Sequence, residues 1–259
     1  MTSGRPWCVF ARQVLLLAVS MGVLWAQDPF EIHVLEYEPM HEGEFTFENH
    51  LNYVAVNAAG GARSVFHDTY ELTAGIAEEF SFGVMQLNAR MPGGPLESAG
   101  WRFVPHFYVP RSWHWPVGVG LVAEFAFENP AWEANSRSMT ILPVLEKRFG
   151  LVQVDLNPTF GRALHGRDTG HGWGFGLAAR VGFEGKKRFT PSLEYYGDWG
   201  PLPGFEPLVG QMHQILPGGD IRLWRNVLWS VGVGVGITPA TDRIVYKSRL
   251  EISFGKGRH

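Results

Sequence analysis

One stretch of the sequence gathers side chains that could do chemistry. In HGRDTGHG, residues 165–172, two histidines flank an aspartate: His165, Asp168 and His171. Imidazole and carboxylate groups at this spacing could bind a divalent metal ion or take part in acid–base catalysis. Polar residues in a glycine-rich loop are more commonly just solvated. Metal binding is therefore the weaker interpretation of these three residues, and we assign no catalytic residue and no cofactor.

A nucleophile with the expected partners is also missing from the sequence. An esterase site needs a serine beside a histidine, with a third polar group that orients the imidazole. His213, in GQMHQ, has no hydroxyl group near it in the sequence, and no cysteine follows Cys8. An enzymatic function is therefore disfavoured. The net charge of −3 gives no indication of nucleic-acid binding.

Charged residues instead recur at every second position of many segments. In RIVYKSRLEISFG, residues 243–255, Tyr246 and Ile252 lie on one parity, whereas Lys247 and Arg249 lie on the other. A period of two predicts a β-strand with one apolar and one polar face.

Twelve segments alternate in this way, with proline and glycine between them. They span residues 44–56, 66–76, 80–88, 100–109, 116–127, 138–147, 151–163, 172–183, 189–197, 211–223, 227–237 and 243–254. Their connections alternate between mostly long and mostly short, which is typical of bacterial outer-membrane barrels. We therefore predict an all-β fold, an antiparallel transmembrane β-barrel of about 12 strands with both termini in the periplasm.

The composition of the two faces indicates which one is inside. The polar parity mixes full charges with glycine, as a lumen requires, and the tryptophans lie near segment ends, as in the interfacial belts of a membrane barrel. We therefore expect the apolar face to meet outer-membrane lipid. A soluble, exported all-β protein remains the alternative.

The polar parity then supplies the residues that line the lumen. They are Glu48, His50, Glu71, Arg102, His106, Glu124, Glu146, Asp155, Arg180, Glu194, Asp220, Arg222, Lys247, Arg249 and Glu251. Charges inside a barrel must be paired or hydrated. They could form a structural network or a constriction along a solute path. Glycines on the inner face of residues 227–237 should leave free space, bordered by Arg222 and Arg249.

The termini divide the chain into four parts. Residues 1–26 carry two arginines and then an apolar run of about 13 residues, which predicts a secretory signal peptide. Residues 27–42 include FEIHVLEYEP, which also alternates; we interpret them as a periplasmic lead-in or a partial plug. Residues 43–255 form the barrel, and residues 256–259 a short polar tail.

Several stretches resemble a known family. HLNYV, GWRFVP, EKRFG with VDLNP, SLEYYGDWG and VYKSRLEISFG resemble an uncharacterised family of small outer-membrane barrels of Gram-negative bacteria. More loosely, the chain is similar to transporter-like barrels from gene clusters for aromatic-compound degradation. The resemblance implies no catalytic residue. The last strand also resembles the signal that the barrel-insertion machinery recognises, although GKGRH follows Phe254.

These observations favour a narrow passive channel or transporter for small solutes, with a charged lumen. The sequence does not identify the solute. Two alternatives stay open: an enzyme acting at the outer leaflet, and a structural or surface-contact barrel with no conduit.

Overall fold

The computed structural model describes residues 28–58, 65–185 and 188–255. The predicted signal peptide and the polar tail therefore lie outside the described residues. Among the described helices, none is long and apolar enough to cross a membrane.

Twelve antiparallel strands form a closed barrel in which each strand pairs with its neighbours in sequence and β1 pairs with β12. This confirms the predicted antiparallel β-barrel and its strand number, whereas the periplasmic position of the termini stays a prediction. The strands are β1 (Glu44–Val56), β2 (Val65–Ala77), β3 (Phe80–Arg90), β4 (Glu97–Tyr108), β5 (Gly118–Glu128), β6 (Asn135–Phe149), β7 (Val152–Gly166), β8 (Trp173–Phe183), β9 (Phe189–Pro201), β10 (Met212–Trp224), β11 (Val227–Gly236) and β12 (Ile244–Gly255). Two short 3-10 turns, Arg111–Trp113 and Thr169–His171, lie in the connections.

Alternation along the strands separates an outer apolar face from an inner face. On β4, Phe103 and Phe107 are exposed, whereas Arg102 and His106 are buried. This is the reverse of a soluble protein, in which large apolar side chains are buried and charges are exposed. The barrel thus presents its apolar face outward, as lipid requires.

Prolines within the strands interrupt pairing without changing the register. Pro143 of β6 and Pro158 of β7 lie where these two strands leave a gap in their ladder. Pairing resumes in the same register on both sides, with Ile141 opposite Phe160 and residues 145 and 156 also opposite each other. Because no residue is inserted, the inner and outer parities continue past the prolines.

The two ends of the barrel differ in the length of their connections. At one end, which we call the long-loop end, the strands are joined by residues 91–96, 129–134, 167–172, 202–211 and 237–243, and β1 ends and β2 begins at this same end. At the opposite, short-turn end, residues 78–79, 150–151 and 225–226 make tight turns. Residues 109–117 are an exception, since this longer connection also lies at the short-turn end.

Residues 28–42, which we call the luminal segment, run through the inside of the barrel. Near the long-loop end, Asn52 donates a hydrogen bond to the Pro29 carbonyl (3.0 Å), and Asp28 forms an ion pair with Arg102. Near the short-turn end, the Tyr37 hydroxyl donates to the Val109 carbonyl. The segment joins no sheet. Its buried side chains pack against inward apolar groups and are Phe30, Ile32, Val34 and Tyr37.

Candidate functional site

The barrel interior brings together most of the residues expected to line the lumen. The following are buried: His50, Glu71, Arg102, His106, Glu146, Asp155, Arg180, Glu194, Lys247, Arg249 and Glu251. Glu48, Glu124 and Asp220 are nearly so, with side chains 13–14 % exposed. Arg222 differs, since it is exposed near the short-turn end of β10. It forms no ion pair with any residue that the structure describes.

A first ion-pair network is centred on Arg180. Its guanidinium contacts Glu36 of the luminal segment (3.1 Å), Asp155 of β7 (3.3 Å) and Asp220 of β10. The Ser230 hydroxyl of β11 donates a further hydrogen bond to Asp220 (2.5 Å). One buried arginine therefore links three strands to the luminal segment, and its charge is compensated as burial requires.

A second network lies on β12 and its neighbours. Arg249 pairs with Glu48 (3.0 Å) and Glu251 (3.4 Å). Lys247 pairs with Glu194 of β9 (2.8 Å) across the interior. Arg249 and Glu251 lie on β12 itself, whereas Glu48 lies on the adjacent β1 and Glu194 on β9, so this network joins three strands.

A third network surrounds Arg102 near the long-loop end. Arg102 contacts Asp28, Glu128 (2.5 Å) and, at 3.8 Å, Glu124. In the adjacent loop, burial and the nearby Asp28 and Glu128 carboxylates raise the pKa of Glu133 to about 8. Asp28, Glu128 and Glu133 were not among the residues expected to line the lumen. Of these, Glu128 could have been found, because it shares the inward parity of Glu124.

The interior is also more apolar than the sequence indicated. Met85, Val104, Val122 and Val144 occupy inward positions on β3 to β6 and belong to one buried cluster with Phe30. The sequence alone does not show that apolar side chains at these inward positions are buried. They are buried because the luminal segment covers them.

The glycines of β11 do not leave the free space that we expected. A side chain at Gly232 would collide with Leu216, and one at Gly234 would collide with Gln214. Both of these side chains come from β10 and fill the space over the glycine face. The expectation of an open path between Arg222 and Arg249 was therefore wrong at this position.

Cavities within the described part of the barrel include three with volumes of about 230, 90 and 60 Å³. The largest lies against β1 to β5 and is rich in carboxylates, including Glu31, Glu48, Glu71 and Glu124. The second lies against β4 to β8 and is lined by Arg102 and several polar groups. Residues of the luminal segment line all three cavities, so this segment determines how much free space the lumen has.

The predicted cluster of His165, Asp168 and His171 is only partly assembled. The Asp168 carboxylate accepts a hydrogen bond from Asn135 (2.8 Å) and lies 3.6 Å from the His171 ring. His165 instead shares a hydrogen bond with the Ser136 hydroxyl (2.7 Å). Among the described residues, a different group has ligand atoms close enough for a metal ion, namely Glu48, His50 and Glu71.

Two histidines each have a hydroxyl partner on the neighbouring strand, and the sequence could not reveal these contacts. His165 of β7 meets Ser136 of β6, and His213 of β10 meets the Tyr195 hydroxyl of β9 at 2.7 Å. Within the described part of the chain, His165 has no carboxylate within 4.0 Å that could orient its imidazole. A serine–histidine–carboxylate triad is therefore not assembled around His165 among the described residues.

Comparison with known proteins reveals likeness at the level of fold. No family model matches the sequence, and no curated protein matches it. Among solved structures, the chain is similar to an outer membrane channel from Pseudomonas putida F1, with a TM-score of 0.60 and 9% identity over 86% of this chain and 100% of the other. Weaker likenesses are to the CymD monoaromatic hydrocarbon channel (TM-score 0.47, 8% identity, 92% and 98% covered) and to OmpF from Salmonella typhi (TM-score 0.39, 6% identity, 82% and 96% covered). The likeness to the Pseudomonas putida protein supports the same barrel fold for this chain.

Proposed function

We propose that the protein is a narrow passive channel of the bacterial outer membrane for small solutes, with the luminal segment as a partial plug. The observation that carries this proposal is the inverted arrangement of the closed barrel. Its outer face exposes large apolar side chains, whereas its interior holds paired charges and polar cavities. An eight-stranded barrel is filled by side chains and a sixteen-stranded porin is open, so twelve strands allow a narrow path.

The outer membrane is the location that fits this surface. Export would depend on residues 1–26, and insertion on recognition of β12 by the barrel-insertion machinery. Outer-membrane lipid would then cover the exposed aromatic side chains. The solved barrel from Pseudomonas putida is described as an outer membrane channel, and this description supports the proposal.

The luminal segment would set the size of the path. It is held by the Arg102 and Arg180 networks at their ion pairs with Asp28 and Glu36. The barrel wall closes through strand pairing alone, without any contribution from this segment. Removal of the segment should therefore widen the lumen while leaving the wall intact.

Single-channel recording in planar bilayers tests this proposal. The full chain and a variant lacking residues 28–40 are compared after each has been shown to shift on gels between unheated and boiled samples, as a folded barrel does. We expect small unitary conductance for the full chain and a several-fold larger conductance for the deletion. The matched control is Glu42→Gln, because Glu42 lies at the end of the segment outside the deleted residues and is exposed; this variant should conduct like the full chain.

A different pattern would contradict the channel. If both the folded full chain and the folded deletion variant fail to conduct, the protein is a structural or surface-contact barrel. If the deletion conducts no better than the full chain, the luminal segment is not a plug.

A further inference from the structure

Three glutamates lie side by side in one row of the barrel wall. Glu48 of β1 is directly opposite Glu251 of β12 on one side and Glu71 of β2 on the other. Like charges directly opposite each other on neighbouring strands are destabilising. The row therefore needs cations to compensate it.

Arg249 compensates only part of this row. It contacts Glu48 and Glu251, at 3.0 and 3.4 Å. Glu71 accepts a hydrogen bond from the Thr73 hydroxyl (2.8 Å), but no cationic side chain of the described residues lies within 4.0 Å of it. With all three carboxylates ionised, the row and Arg249 carry two net negative charges, which equals the charge that a divalent cation would neutralise.

Two histidines adjoin the same row. His50 is 1% exposed, and its Nε2 atom lies 3.0 Å from Glu48 Oε2, whereas its Nδ1 atom has no hydrogen-bond partner. His33 of the luminal segment faces it, with ring centroids 6.0 Å apart, and the buried Nε2 atom of His33 also lacks a partner. Buried polar atoms without partners are uncommon and call for an explanation.

We infer that Glu48, His50 and Glu71, together with His33, form a binding site for a divalent transition-metal ion of the Zn²⁺ class. The candidate ligand atoms of the first three residues lie within 4.8 Å of one another. Zinc binds nitrogen and carboxylate oxygen at about 2.0–2.2 Å, so two imidazoles on one ion have ring centroids roughly 5 Å apart. The His33 and His50 rings would therefore have to approach each other by about 1 Å to bind the same ion.

The mixture of ligands determines the class of ion. Imidazole nitrogen favours zinc and similar transition metals, whereas Mg²⁺ and Ca²⁺ prefer oxygen ligands alone. His33, Glu48 and Glu71 also line the cavity of about 230 Å³, which leaves room for a metal-bound water. An ion held here would connect the luminal segment to β1 and β2, so metal binding would hold the segment inside the barrel.

Metal titration of the folded, full-length protein tests the inference. The protein is purified without a histidine tag, stripped with a chelator and titrated with Zn²⁺ by calorimetry. We expect one equivalent to bind, with at least tenfold weaker affinity in His50→Gln, Glu71→Gln and His33→Gln. His67→Gln is the matched control, because His67 is a buried histidine of β2 outside the cluster; its affinity should equal that of the wild type. Co²⁺ should give visible absorption bands in the wild type that are lost in His50→Gln.

Several results would overturn the inference. Absence of stoichiometric Zn²⁺ binding by the folded wild type would do so, as would equal affinity in wild type and His50→Gln, which would locate binding at surface histidines. Displacement of Zn²⁺ by millimolar Ca²⁺ or Mg²⁺ would show that the class of ion is wrong. Unchanged affinity in His33→Gln would exclude the luminal segment from the site.

Discussion

Asn157 should control how firmly the luminal segment is held in the barrel. Its side chain is 1% exposed on β7 and makes two hydrogen bonds to the backbone of one residue. The Leu35 N–H donates to Asn157 Oδ1 (2.7 Å), and Asn157 Nδ2 donates to the Leu35 carbonyl (3.0 Å). Asn157→Leu keeps a similar volume but removes both bonds.

The size of the effect follows from these two bonds. A buried polar group left without its partner costs about 1–2 kcal/mol, so the Leu35 N–H and carbonyl together would cost about 2–4 kcal/mol. When the segment is displaced into water, both groups recover partners, and this cost disappears. The equilibrium between docked and displaced segment should therefore shift toward displacement by roughly 30- to 700-fold.

A cysteine reporter measures this shift. Val34 is fully buried in the luminal segment, and Val34→Cys would be the only cysteine after Cys8. A charged thiol reagent can reach it only when the segment leaves its place. If the segment returns faster than it reacts, the labelling rate is proportional to the displaced fraction. We expect the rate to rise at least 30-fold in Asn157→Leu.

The control and the contrary result are both well defined. Asn226→Leu changes an asparagine of the β10–β11 turn whose side chain bonds to the Ser253 carbonyl of β12 instead of to the segment, and it should leave the labelling rate unchanged. Equal labelling rates in the wild type and in folded Asn157→Leu would refute the argument, since they would mean that these two bonds do not hold the segment.

Two further predictions concern the loops. Cysteines at Ser98, Ser136 or Thr169 of the long-loop end should be labelled on intact cells by an impermeant reagent, whereas a cysteine at Glu78 should be labelled only after the outer membrane is opened; the reverse pattern would show that the orientation is inverted. Burial favours the protonated form of Glu133, whose pKa is raised to about 8, so the carboxyl destabilises the fold as pH rises from about 4.5 to 8. Glu133→Gln should therefore raise the temperature of the gel shift at pH 9 and leave it unchanged at pH 4, and an equal change at both pH values would contradict this reasoning.

The strands were predictable because their signal is local. The segment 44–56 matches β1 in full, and 80–88 falls short of β3 by two residues at one end. Alternation with a period of two results from strand geometry itself. Each segment can therefore be predicted as a β-strand without knowing which strands it pairs with. The alternation of long and short connections then indicated the barrel.

The lumen was less predictable because its partners are distant in the sequence. The inward parity located Arg180 and Asp220, but not the contact of Arg180 with Glu36. The same applies to Ser136 and His165, which meet only because β6 and β7 are adjacent. Arg222 was expected in the lumen but is exposed near the end of β10. Parity shows which face of the strand a residue lies on, but it does not show how close the residue is to the open end of the barrel.

The luminal segment is the feature that only the tertiary structure decided. FEIHVLEYEP alternates as a strand does, yet it pairs with no strand of the described barrel. The sequence determined that Phe30, Ile32 and Val34 share one side of an extended chain, and that β1 to β12 have one apolar face. Whether that side meets lipid, water or an inner wall depends on what the closed barrel leaves empty. Alternation records only that successive side chains have different surroundings, whereas closure of β1 on β12 creates the interior that the segment fills.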